Sequence, residues 1–209
     1  MTVAVLDSGT YYHHETIFGD RFRDRFDRVI YAPALTAADL AEPTLLIIPD
    51  RTNPDVMRRH QPLLADFLAR GKTLVVLGES EAETWAPGVR SAGRPTNFWW
   101  WLDPAQKPPH QIVAPDHEIF SYVPAESTIW HIHGVLFPPD GAQALVTVPD
   151  DRDGRDPGGA LLYDDRVTTP GRLIVSTLDP FYHHGSRFMP ATTRFLDGFL
   201  RWAQATARS

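Results

Sequence analysis

Four short runs of uninterrupted apolar residues, Val3-Ala4-Val5-Leu6, Leu45-Leu46-Ile47-Ile48, Leu74-Val75-Val76-Leu77 and Leu173-Ile174-Val175, set the folding problem of this 209-residue chain. Each is too short for a helix, and a strand that is apolar at every position must be covered on both faces. Polar or turn-forming residues end the runs, at Asp7-Ser8-Gly9, Pro49-Asp50, Gly78-Glu79-Ser80 and Ser176-Thr177, and Arg28-Val29-Ile30-Tyr31 reads as a further strand. Helical signals lie between them. One is an amphipathic stretch from about Glu15 to Phe26; the other opens at Asn53-Pro54, is carried by Leu63, Leu64, Phe67 and Leu68, and closes at Gly71. Pro62 is expected to break that second helix in two. The rhythm predicts an α/β fold whose central sheet is mainly parallel and covered by helices on both faces.

The second half is less regular. Residues 85–110 are rich in proline, hold the run Phe98-Trp99-Trp100-Trp101 and show little periodicity, so they read as an excursion from the sheet. Ser127 to Leu136 and Ala144 to Val148 read as partly antiparallel strands, and Gly159 to Tyr163 as another. From Pro190, the positions Phe195, Leu196, Phe199, Trp202 and Ala203 mark an amphipathic terminal helix. With no linker or repeat in sight, residues 1–209 are expected to form one domain.

Charge and composition narrow the function. The formal net charge is −6, and the 18 arginines and 2 lysines are scattered among aspartates, so nucleic acid is not an expected partner. The chain lacks an 18-residue apolar run, and Met1-Thr2-Val3 lacks the basic start of a signal peptide; a cytoplasmic protein with no membrane partner is expected. The absence of cysteine removes thiolate nucleophiles and sulfur-ligated metals, leaving His, Asp and Glu as the strong ligands.

Histidines supply the chemical signal. Six of the nine come as His13-His14, His131-x-His133 and His183-His184, each at or just past a segment read as a strand. Open α/β sheets bind ligands beyond the carboxyl ends of their strands, so imidazoles there point to one shared pocket. Alternation in Trp130-His131-Ile132-His133 sends both imidazoles to one face, a spacing that suits chelation. In an adjacent pair only one ring is expected to point inward, and His184 is assigned that place. His131, His133 and His184, with Glu79 and Asp179, are therefore the candidate acid/base groups, and the same three histidines are the candidate ligands of a divalent metal ion. His13, His14, Tyr182 and His183 join them as candidate ligand-binding residues. Asn97, Trp99 and Trp100 do so with Trp101, the tryptophans as an apolar platform for the C–H face of a sugar and Asn97 beside them, although a hydrophobic plug or the interface of a homo-oligomer would use the same residues.

The run Gly71 to Ser80, the element Asp116-His117-Glu118-Ile119-Phe120, and Gly171 to Asp179 followed by a helix ending Phe199-Leu200-Arg201-Trp202-Ala203 resemble class I glutamine amidotransferase-like proteins, most of all their trehalose-utilisation, ThuA-like branch. The resemblance implies a flavodoxin-like three-layer sandwich. Amidotransferases of this family carry a cysteine on the turn after the strand matching Leu74 to Leu77, where this chain has Gly78, Glu79 and Ser80, so glutaminase chemistry is not expected. Nor does Gly78-Glu79-Ser80-Glu81-Ala82 complete the G-x-S-x-G elbow of a serine hydrolase. The expected function is action on a small polar, carbohydrate-derived molecule by a His/carboxylate pocket, through a hydrolytic or isomerising step. The alternative is a non-catalytic ligand-binding or oligomeric scaffold domain.

Overall fold

The computed structural model describes residues 2–95, 102, 109–151 and 153–208. The ten strands among these residues are β1 (Val3–Asp7), β2 (Arg28–Tyr31), β3 (Leu45–Ile48), β4 (Thr73–Val76), β5 (Ser91–Gly93), β6 (Gln111–Ile112), β7 (Gly134–Leu136), β8 (Gln143–Val148), β9 (Gly159–Asp165) and β10 (Arg172–Ser176). Four α-helices accompany them: α1 (Tyr11–Phe18), α2 (Pro54–Ala69), α3 (Pro180–Gly185) and α4 (Pro190–Arg208).

The apolar runs become neighbours. Strands β2, β1, β3, β4 and β10 pair in that order, every pair parallel, with registers such as Val5↔Ile47, Ile47↔Val75 and Val75↔Ile174. Alternate side chains divide between two cores. Val3, Val5, Leu45, Ile47 and Val75 meet Phe195, Phe199 and Trp202 of α4, whereas Ala4, Leu6, Leu46, Ile48, Leu74 and Val76 meet Met57, Leu64, Phe67 and Leu68 of α2. Burying each of these large side chains contributes roughly 1.5–3 kcal/mol before the cost of ordering the chain.

Beyond β10 the sheet changes character. β9 runs antiparallel to β10 and to both β7 and β8, so the whole is a mixed sheet, parallel from β2 to β10 and antiparallel from there on. β7 meets β9 at Leu136↔Ala160, past the last β10 pairing at Ser176↔Leu162, so the chain entering β7 arrives against the carboxyl end of β10. That placement carries His131 and His133 to the same end of the sheet as the loops after β3 and β4.

Two helical expectations change. α1 begins at Tyr11 and stops at Phe18, because Gly19 leaves the helix at a point where a Cβ would sit 2.3 Å from the Glu15 carbonyl oxygen; only a short 3₁₀ turn, Arg23–Arg25, follows. α2 is continuous through Pro62. Proline removes one backbone hydrogen bond, but Pro62 lies on the exposed side while Met57, Leu64, Phe67 and Leu68 anchor both halves in the core.

At the opposite end of the strands, a buried ion pair ties the two halves together. Arg172 opens β10 and reaches Asp164 of β9 with Nε at 3.1 Å and Nη2 at 2.7 Å, while its Nη1 donates to Glu118 at 2.7 Å. Burial pushes the Asp164 carboxyl up, but His117 and Arg172 outweigh it and hold it down at about 2. His117 also accepts a hydrogen bond from the Ile119 N–H, which caps the turn that follows it.

Candidate functional site

The loops that follow β1, β3, β4 and β10 converge at the carboxyl ends of the parallel strands. The β3 loop supplies Asp50 and Arg51, the β4 loop Gly78 and Glu79, and the β10 loop Asp179, which leads directly into α3. Gly78 allows them to meet. It adopts φ +57°, and a Cβ there would lie 2.2 Å from Asp50 Cβ and 2.9 Å from Asp179 Cβ, so the two aspartates approach across a position that tolerates no side chain.

Asp50 is fully buried and holds the start of α3: its Oδ2 accepts from the Phe181 N–H at 2.7 Å and its Oδ1 from the Tyr182 N–H at 2.9 Å. Burial, reinforced by the nearby charge of Asp179, pushes the Asp50 carboxyl well above the usual range despite those two donors. Asp179 behaves oppositely. Burial pushes it up too, but His183, His133 and His131 outweigh that and hold it below its ordinary value, so it is the ionised member of the pair.

Three imidazoles surround the Asp179 carboxylate. His183 Nε2 lies 3.1 Å from Asp179 Oδ1 and 3.1 Å from His131 Nε2, and His133 Nε2 lies 3.7 Å from Asp179 Oδ2. The other ring nitrogen of His133, Nδ1, faces Glu79 Oε1 at 3.5 Å. His131 is buried, which together with the neighbouring His183 and His133 pulls its pKa down to about 4 against the opposing pull of Asp179, so it is neutral near pH 7. Arg51, at φ +57°, places Nη2 3.2 Å from Asp179 Oδ2 and 3.0 Å from Glu79 Oε2, and its guanidinium stacks 3.8 Å over the Tyr182 ring.

The result is two donor sets sharing one carboxylate: His131, Asp179 and His183, all buried, and Glu79, His133 and Asp179, of which Glu79 is exposed. Within each set one ligand atom per residue lies within 4.8 Å of the others. A cleft of about 350 Å³ opens over Glu79 and His133 and continues along Val135 and Thr177, a size suited to a small molecule.

The residues expected at the site separate as follows. His131, His133, His183, Glu79, Asp179 and Tyr182 are brought together. His183, not His184, is the inward ring of its pair, because in α3 one residue of rotation turns His184 toward Thr193, whose Oγ1 lies 2.8 Å from its Nδ1, and onto Phe22. His13 lies beneath the site with Nε2 donating to the Asp50 carbonyl at 2.7 Å; burial lowers its pKa. His14 is exposed beside Phe18 and takes no part in the cluster. Asn97, Trp99 and Trp100 lie outside the described residues. Ser80 is buried with no hydrogen-bond partner for its hydroxyl among the described residues, which leaves a serine-nucleophile reading without a base there.

Segment 129–133 is irregular; the strand begins only at Gly134, yet His131 and His133 still share a side, their rings 5.0 Å apart, while Trp130 and Ile132 enter the core. Sequence reasoning missed Asp50 and Arg51. The signal that could have found them was their position: they follow the clearest apolar run, where strand-end residues meet a ligand.

No protein-family model matches the chain, and neither does any curated protein. Solved structures do. A ThuA-like protein from Bacteroides uniformis superposes with a TM-score of 0.55 at 10% identity, covering 96% of this chain and 89% of its own. A GMP synthase-like protein from Thermoplasma acidophilum gives 0.60 at 11%, covering 99% and 95%, and a cytoplasmic protein from Salmonella typhimurium gives 0.60 at 13%, covering 97% and 98%. The likeness is one of fold. It shows an α/β architecture shared over nearly the whole chain, and among the described residues no helix is long and apolar enough to cross a membrane.

Proposed function

We propose that this chain is an amidotransferase-like domain of the ThuA-like kind, a flavodoxin-like sandwich in which a His/carboxylate pocket replaces thiolate chemistry and acts on a small polar, carbohydrate-derived molecule. The observation that carries the proposal is Asp179, a buried carboxylate shared by two histidine-containing donor sets at the mouth of a cleft. His131, His183 and Asp179 suit a divalent ion. Around a tetrahedral centre with bonds of about 2.0–2.1 Å, neighbouring ligand atoms stand roughly 3.3 Å apart, and here His183 Nε2 is 3.1 Å from both other ligand atoms. Arg51 already provides positive charge between Glu79 and Asp179, so the histidine side is the place for the ion. Bound there, the ion would act as a Lewis acid toward a carbonyl or water.

Within the cleft, Glu79 and His133 are the proton-handling pair. Glu79 is the exposed carboxylate, held in place by Arg51, and His133 bridges it to Asp179. Such a pair can remove a proton from water or from a substrate C–H and return it elsewhere, which suits a hydrolytic or isomerising step. The test is a panel of neutral glycosides and ketoses, followed for hydrolysis and for proton exchange, with wild type, Glu79→Gln and His133→Ala. Turnover that both variants abolish while their unfolding midpoints stay near wild type supports the reading. Binding of such compounds without turnover under every metal condition would instead favour a non-catalytic ligand-binding domain.

A further inference from the structure

On the far side of His183 lies a second cavity, of about 390 Å³, whose lining among the described residues includes Arg21, His184, Arg187, Thr193 and Arg194 and no acidic side chain. The chain carries a net charge of −6, yet this wall brings three arginines together. Arg187 is paired with Glu15, but neither Arg21 nor Arg194 has a carboxylate within ion-pair distance among the described residues. A second observation belongs to the same wall. His183 lines the cavity and is almost wholly buried, and its Nδ1, the ring nitrogen that does not face Asp179, has no hydrogen-bond partner among the described residues.

We propose that this cavity is a binding site for a tetrahedral oxyanion, a phosphate or phosphate monoester, held by the forks of Arg21 and Arg194 with Arg187 beside them. Guanidinium groups recognise such anions with paired, charge-assisted hydrogen bonds, and Arg21 and Arg194 have no carboxylate partner among the described residues that an anion would need to displace. The site does not depend on a metal at His131 and Asp179. If an ion is bound there, the anion would also offer an acceptor to His183 Nδ1–H, the kind of partner that fixes a metal-ligating imidazole.

The experiment is calorimetric titration of the chelator-treated full chain with inorganic phosphate and, separately, with glycerol phosphate, each against sodium chloride of matched ionic strength. Saturable phosphate binding is expected in wild type, and Arg21→Ala and Arg194→Ala should each weaken it about tenfold. Both side chains are exposed, so urea unfolding curves should stay at the wild-type midpoint and separate lost binding from lost fold. Tighter binding of the monoester assigns the anion to a larger ligand, and equal binding assigns it to free phosphate. Phosphate heats no larger than those of chloride, or binding that both variants retain in full, would overturn the proposal whatever the fate of the metal and cleft readings.

Discussion

Gly78→Ala tests how the site is assembled. The new methyl group would stand 2.2 Å from Asp50 Cβ and 2.9 Å from Asp179 Cβ, neither of them the end of a flexible side chain, and the backbone would keep φ +57°. The left-handed conformation costs an alanine about 1–2 kcal/mol and forcing apart a packed interior about 1–3 kcal/mol, so the substitution should destabilise the fold by about 2–5 kcal/mol. That is a large part of the roughly 5–15 kcal/mol typical of a whole domain. Gly71→Ala separates the two contributions, because Gly71 has φ +76° but nothing within 4 Å of its added Cβ; it should lose only the conformational part. Urea unfolding followed by tryptophan fluorescence measures both, and with a slope of about 2–3 kcal/mol/M the Gly78 variant should shift its midpoint by about 1–2 M. Equal midpoints for the two variants would refute the idea that Asp50 and Asp179 meet across a position closed to any side chain.

Asp50→Ala leaves the buried Phe181 and Tyr182 N–H groups without their acceptor and should cost about 2–4 kcal/mol, with Asp50→Asn milder; the comparison is made by the same unfolding assay, and an alanine variant as stable as wild type would contradict the capping role. Arg172→Ala strands Asp164 and should cost about 3–5 kcal/mol while leaving ligand binding at the distant strand ends intact, as calorimetry would show. His131 contributes stability that is fully present above its unfolded pKa near 6.5 and is lost as the pH falls toward its folded value of about 4, because the unfolded chain then binds the extra proton. Between about pH 7 and pH 4.5 this amounts to about 1–3 kcal/mol, and His131→Gln should flatten that part of the stability profile.

The parallel half of the sheet was legible because β1, β3, β4 and β10 are apolar at every core position, a pattern that only burial on both faces explains. The antiparallel half was legible only in part. β8 and β9 carry recognisable β-rich runs, but Ser127 to Ile132 overlaps a 3₁₀ turn at Ala125–Thr128 and becomes strand only at Gly134, because its side chains are placed by packing of Trp130 against Phe195 and not by a ladder. The site shows the same division. Strand-end logic located Glu79, Asp179 and the histidine segments, since it depends on chain direction alone. Choosing between His183 and His184 required the rotation of α3, which is set by Asp50, 131 residues upstream of Phe181 in a loop whose role no local pattern declares.

Cobalt(II) binding to untagged protein is the most direct test of the Asp179-centred cluster. One equivalent per chain should bind with the visible absorption of a tetrahedral nitrogen/oxygen site, His183→Ala and His131→Ala should abolish that signal, and His184→Ala should keep it. Absence of stoichiometric binding in wild type, or loss of the signal on replacing His184 but not His183, would contradict the account.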